Sequence, residues 1–202
     1  MKIFLTAALV LAFAAPLAQS DAKANNLEYR QLNKITSTYN PNGSSRNSDK
    51  SPIPRKNIRF TENYAPNTII IDTSERRLYY VTGKNRAIEY AVGVGREGFT
   101  WQGTNRVTRK AEWPGWTPPQ VMRDRVKRQE GRVLPAYVKG GPGNPLGARA
   151  LYIGSTIYRI HGTNQPWTIG KAMSSGCIRM ANEDVMHLFD QVKIGTRVIV
   201  RN

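Results

Sequence analysis

Residues 3–15 form an almost unbroken apolar run behind a single charge at Lys2, and Pro16 with small residues ends it. The run is too short to span a bilayer, which needs ~20 residues. Ala22-Lys23-Ala24 has the small-x-small form of a signal-peptidase site. The pattern predicts a signal peptide over residues 1–24, cut after Ala24, with cleavage after Ser20 as the competing site. Residues 25–65 hold no apolar periodicity, and Asn, Ser, Pro and Gly dominate, as in Asn40-Pro41-Asn42-Gly43-Ser44-Ser45. They are expected to be a flexible linker. From residue 66 the texture changes. Thr68-Ile69-Ile70-Ile71-Asp72 is a β-branched run, Thr73-Ser74-Glu75-Arg76 a polar turn, and Leu78-Tyr79-Tyr80-Val81 a second run. Gly83-Lys84-Asn85 turns again and residues 87–94 extend. Short strands at this spacing predict an antiparallel β architecture, with later strands over 150–153, 157–161 and 197–200.

One helix is readable. Asn182 is a candidate N-cap, Glu183 and Asp184 suit the positive helix end, and Val185, Leu188, Phe189 and Val192 recur at helical spacing. Gly195 can close it. His187 falls inside this helix with no second metal-ligand type at a matching spacing, so it is read as structural. Residues 105–148 are crowded with Pro, Gly and Trp, and loops this long in compact domains are usually functional or disordered. Trp113, Trp116 and Tyr137 argue against disorder, so this stretch is expected to be a lid or substrate wall.

Charge and cysteine content narrow the function. The chain has 202 residues, enough for one ordinary domain plus extras, and a formal net charge of +16. Such an excess calls for an anionic partner, be it nucleic acid, lipid head groups or wall polymer. The expected linker contributes Arg30, Lys34, Arg46, Lys50, Arg55, Lys56 and Arg59 against three acids. A nucleic-acid binder would explain the charge but not the leader or the thiol. No Walker-type phosphate loop and no metal-ligand cluster is present, so no cofactor and no metal are expected. The one cysteine, Cys177, has no disulfide partner and lies far from the leader. In an exported chain it is a buried bystander, an intermolecular link or a free reactive thiol.

The third option gains from its neighbours. A cysteine nucleophile must lose its proton, and an adjacent imidazole can take it, with the ion pair favouring the thiolate. A third group must orient that imidazole through its other nitrogen. His161 ends a strand and precedes Gly162, on a loop that leads to Ser174-Ser175-Gly176-Cys177-Ile178-Arg179. It is better placed than His187. Gly176 permits a sharp turn and accessible amides for an oxyanion, and Arg179 adds positive potential beside the thiol.

His161-Gly162-Thr163, a spacer, then Ser-Ser-Gly-Cys-Ile-Arg resembles the signature of the L,D-transpeptidase (YkuD-type) catalytic domain. Gly93-Val94-Gly95-Arg96, the segment from Gly98 to Gly103, and the segment from Gly141 to Leu151 resemble further blocks of it. Residues 66–202 are accordingly expected to be the catalytic domain. The resemblance implies a mainly β, β-sandwich-like fold with a short helix after the cysteine loop. It implies that Cys177 attacks the carbonyl of the third residue, a diamino acid, in a tetrapeptide stem of peptidoglycan. D-Alanine leaves, and an amine resolves the thioester. His161 would be the base and the Gly162 carbonyl would orient it. Amides around Ser175, Gly176 and Cys177 would form the oxyanion hole. Many relatives carry histidine where this chain has Ser175, so no role of that second histidine transfers. The amine could come from another stem or from an outer-membrane protein. A hydrolase passing the acyl group to water, and a noncatalytic wall-binding module, are the competing readings. A soluble periplasmic protein of a Gram-negative cell, with no stable membrane insertion after leader removal, is the expected setting.

Overall fold

The computed structural model describes residues 49–96, 101–174 and 176–202. The expected leader, the linker up to residue 48, Gly98 and Ser175 lie outside the described residues. Among the described residues no helix is long and apolar enough to cross a membrane.

Among the described residues eleven strands and two α-helices follow one another, with a short 3-10 turn at Pro166–Thr168. The strands are β1 (Lys56–Arg59), β2 (Thr68–Asp72), β3 (Arg77–Gly83), β4 (Arg86–Ala91), β5 (Val94–Gly95) and β6 (Gly103–Glu112). After helix α1 (Gln120–Glu130) come β7 (Arg149–Ile153), β8 (Arg159–His161), β9 (Ala172–Ser174) and β10 (Ile178–Arg179). Helix α2 (Asn182–Gln191) and β11 (Arg197–Arg201) complete the chain. Nine strands hydrogen-bond in the order β1-β4-β3-β2-β11-β6-β7-β8-β10, and β5 pairs with β9.

The three consecutive isoleucines of β2 explain why it sits deep in the sheet. Period-2 alternation sends Ile69 and Ile71 into the main core with Leu78, Tyr80, Leu151 and Leu188. Ile70 points to the opposite face, against Phe60, Tyr79 and Val81. All three are fully buried, so a strand apolar on both faces is what this position demands. β6 produces the sandwich-like bend. Its residues 103–106 pair with β11, and from Val107 onward it pairs with β7, with a register shift between Val107 and Arg109. A strand that changes partner at a bulge turns the corner between two layers.

Four expectations change. The sheet is mixed, because β11 runs parallel to β2 and β10 parallel to β8. The linker expected to reach residue 65 does not: Lys56–Arg59 pairs antiparallel with β4, and Phe60 is buried. The stretch from 105 to 148 is no single loop, since it opens with the ten-residue β6 and contains α1. Helix α1 escapes periodicity because only Val126 of its residues is buried, which leaves no apolar stripe. Its end is marked by Gly131, whose φ of 66° closes the last turn. Lastly, α2 begins after Ala181 as N-cap, with no side-chain cap, and ends at Gln191 with Val192 as C-cap. Asn182 is its first residue rather than its cap, and Gly195, at φ 92°, turns the chain toward β11.

Candidate active site

The parallel pairing of β8 and β10 assembles the site. Ile178 stands opposite Ile160 and Arg179 opposite His161. Both isoleucines are buried in the core. Alternation therefore puts Arg159, His161 and Arg179 on the other face, and Cys177, one residue before Ile178, joins them there. The residues that sequence spacing separates by sixteen positions thus share one strip. The Cys177 thiol points toward the carbonyl of Ile157, with Sγ at 3.8 Å.

His161 is 4% exposed, and its Nδ1 lies 2.6 Å from the carbonyl oxygen of Gly162. A carbonyl only accepts, so Nδ1 carries the proton and Nε2 is left with a lone pair. Burial, and next the charge of Arg179, push His161 down to a pKa of about 3. Burial pushes the Cys177 thiol up, opposed by the charge of Arg159 and, to a lesser degree, Arg179. Both shifts favour the uncharged forms, imidazole and thiol. Burial penalises both charged forms, and so works against the imidazolium–thiolate pair expected from sequence.

Arg159 is the residue that sequence reading missed. It lies two positions before His161 on the same strand face, a period-2 signal that was available. Its Nε is buried without a hydrogen-bond partner among the described residues, and its guanidinium lies 5.5 Å from the Tyr152 ring. Arg179 is held by its backbone, which exchanges hydrogen bonds with Gly93 at 2.8 and 2.9 Å. A Cβ on Gly93 would come within 3.4 Å of that of Arg179 and 3.1 Å of the Thr168 carbonyl, so glycine permits the approach.

The turn before Cys177 is braced by Ser174. Its hydroxyl donates to the Cys177 carbonyl at 2.5 Å and accepts from the Gly176 N–H at 3.1 Å. Gly176 was expected to supply an amide to an oxyanion. Here that amide is already engaged, and Gly176 supplies instead its φ of 103°. Ser175 lies outside the described residues.

His187 belongs elsewhere. Its Nδ1 is 2.7 Å from the Tyr90 hydroxyl and 3.1 Å from Gln191 Nε2. These contacts tie α2 to β4, in keeping with a structural histidine. Among the described residues no group of three or more metal-ligating side chains exists. The expected lid is ordered by its own bonds. Trp116 and Val138 exchange backbone hydrogen bonds at 2.8 Å, and the buried Asn144 side chain donates to the carbonyls of Val138 and Lys139.

Residues 66–200 match the family model of the YkuD L,D-transpeptidase catalytic domain. The probable L,D-transpeptidase ErfK/SrfK of Escherichia coli K12 is 45% identical over 136 residues, which cover 64% of this chain and 42% of that protein. The chain thus spans less than half the length of this curated relative. A Brucella melitensis crystal structure described as a probable carnitine operon oxidoreductase, caia, is 43% identical with a TM-score of 0.50. It covers 79% of this chain and 100% of its own. Its name speaks of a different chemistry, and membership here rests on the family model and the sequence relatives. The L,D-transpeptidase LdtMt1 in complex with imipenem is 14% identical, covers 66% of this chain and 58% of its own, and has a TM-score of 0.50. That likeness concerns the fold alone. With Cys177, His161 and Gly162 falling inside the matched residues, this chain belongs to the L,D-transpeptidase catalytic domain family.

Proposed function

We propose that the protein is an exported peptidoglycan L,D-transpeptidase acting in the periplasm, with Cys177 as nucleophile and His161 as general base. The observation that carries this reading is the 2.6 Å contact of His161 Nδ1 with the Gly162 carbonyl, on a strand paired with the one that follows Cys177. It leaves Nε2 unprotonated on the face where the thiol lies.

The steps follow from two neutral partners. Nε2 takes the thiol proton as Sγ bonds to the carbonyl carbon of the third stem residue, so the charges are created only as the bond forms. Arg159 and Arg179 offset the negative charge during that transfer. With the Gly176 amide held by Ser174, the Cys177 N–H is the donor for the oxyanion. Collapse breaks the C–N bond, and the imidazolium returns its proton to the departing D-alanine amine. A thioester remains. An acceptor amine then attacks it, gives its proton to His161 and leaves a new amide, while the thiol is restored. The acceptor is a second stem, giving a 3→3 cross-link, or the amine of an outer-membrane protein.

Purified mature protein incubated with tetrapeptide muropeptides should release D-alanine and give cross-linked dimers by mass spectrometry. Tripeptide without dimer would make the enzyme a hydrolase. A carbapenem, whose strained amide a thiolate can open, should add one drug mass, and Cys177→Ala should abolish the adduct with an unchanged circular dichroism spectrum. A folded Cys177→Ala protein that still takes up drug would refute the assignment.

A further inference from the structure

Asn182 was expected to cap α2, but its side chain is used elsewhere. It is 4% exposed, and its Oδ1 accepts from the N–H of Ala148 at 3.0 Å and of Thr163 at 3.2 Å. Its Nδ2 donates to Asp49 Oδ1 at 2.9 Å. Two amide donors on one side and a carboxylate on the other fix which end of the carboxamide faces which way.

The Thr163 N–H and the Gly162 C=O belong to one planar peptide unit and point in opposite directions. Holding the N–H therefore sets where the carbonyl aims, and that carbonyl accepts the hydrogen bond from His161 Nδ1–H. The other neighbouring peptide unit is held as well, by the Gly162 N–H donating to Arg149 O at 3.0 Å. There is no slack around the contact. A Cβ on Gly147 or on Gly162 would lie 2.3 Å from Asn182 Oδ1. A hydrogen bond into the N–H also makes the carbonyl across the same peptide a stronger acceptor.

Asp49 sits in the stretch that reads as linker, yet it clasps the start of α2 twice. Besides the Asn182 contact, its carbonyl accepts the Glu183 N–H at 3.1 Å. Ser51 N–H donates to Glu183 Oε1 at 2.8 Å, and Arg55 pairs with the buried Asp184 at 3.0 Å. The segment from 49 to 55 is thereby fastened along one end of the helix that carries Asn182.

We infer that Asn182 is a positioning residue for the imidazole of His161, acting through the Thr163–Gly162 peptide, and that Asp49 fixes the orientation of Asn182 from the N-terminal strap. The inference rests on His161 being the base. It assigns to residues ahead of the matched catalytic domain, residues 66–200, a part in aligning the base, so the mature enzyme needs its strap for full rate.

A carboxamide-to-carboxylate exchange tests it. In Asn182→Asp an oxygen still faces the two amides, but the other end turns a second carboxylate toward Asp49. In Asp49→Asn the oxygen that accepts from Asn182 remains. The double variant Asp49→Asn/Asn182→Asp restores one donor and one acceptor across the contact. Expected carbapenem acylation, followed by intact-protein mass spectrometry, is near wild type for Asp49→Asn. It falls about tenfold or more for Asn182→Asp and returns to within about threefold of wild type in the double variant. Asp49→Ala, which leaves the buried Asn182 in place, should lose about threefold. Nitrogen-15 spectra of histidine-labelled protein should show His161 as a single Nδ1–H tautomer in the wild type and a mixture in Asn182→Asp.

The inference is overturned if the double variant is no faster than Asn182→Asp, or if His161 keeps its wild-type nitrogen shifts in both Asn182→Asp and Asp49→Ala. Should Asn182→Asp not fold, Asp49→Ala decides by the same two readouts. A wild-type protein that takes no drug would refute the transpeptidase reading, while the nitrogen shifts would still judge the positioning.

Discussion

The buried neutral His161 makes a stability prediction that can be worked through. Its folded pKa is about 3, against ~6.5 for an unperturbed histidine. The folded value is the lower one, so between these two the unfolded chain binds the proton and the folded chain does not. Stability must then fall as pH drops below about 6.5. From pH 7 to pH 4.5 this single group should cost about 2.5 kcal/mol. Because the folded value lies well below 4.5, the unfolded pKa sets almost all of that figure. Carboxylates also lose stabilising contacts over this range, so the wild type alone cannot isolate the effect. The comparison is with His161→Gln, which keeps a polar, similarly sized side chain but cannot titrate. Urea unfolding of both proteins at pH 7 and pH 4.5 yields four free energies, and their double difference removes the common background, His187 included. The wild type should lose about 2 kcal/mol more than the variant, roughly the worked figure. Equal losses in the two proteins would mean that His161 protonates freely in the fold, and the neutral resting pair would be wrong. The same neutrality predicts that acylation shows no acid limb near pH 6.5.

His161→Ala should lose acylation by orders of magnitude while folding, whereas His187→Ala should keep it and cost about 1 kcal/mol in urea titrations, from the lost Tyr90 contact. Comparable loss in both would mean that the wrong histidine was chosen. Arg159→Leu should raise the pKa of Cys177, since the Arg159 charge is the largest influence opposing burial there. Iodoacetamide labelling rates measured against pH should shift to higher pH, and an unmoved profile would remove Arg159 from the site. Retention on isolated wall sacculi should weaken steeply with salt, because the net charge of +16 acts over a Debye length of ~8 Å at physiological ionic strength. Retention unchanged between low and high salt would assign the basic surface another purpose.

The sequence alone determined several of the local elements and marked the candidate reacting groups. Three adjacent isoleucines cannot all be hidden except in a strand covered on both faces, and Thr68–Asp72 is such a strand. The recurrence of Val185 and Leu188 between acidic residues and Val192 marked α2 because one face of it meets the core. A lone cysteine downstream of His-Gly-Thr marked the candidate thiol and imidazole, since the chemistry constrains residue type as well as place. Tertiary structure decided whatever depends on pairing across distance. Arg159 joins the site only because β8 and β10 run parallel in one register, and periodicity in either segment alone does not reveal its partner. Asn182 reads as a cap by its position, but two amides 34 and 19 residues upstream claim its oxygen. Asp49 reads as linker because no apolar periodicity surrounds it, and its partners lie on α2, far along the chain. Protonation belonged to the same class. Side-chain identity suggested an ion pair, and only the tertiary surroundings, which bury His161 and shelter Cys177, favour the uncharged forms.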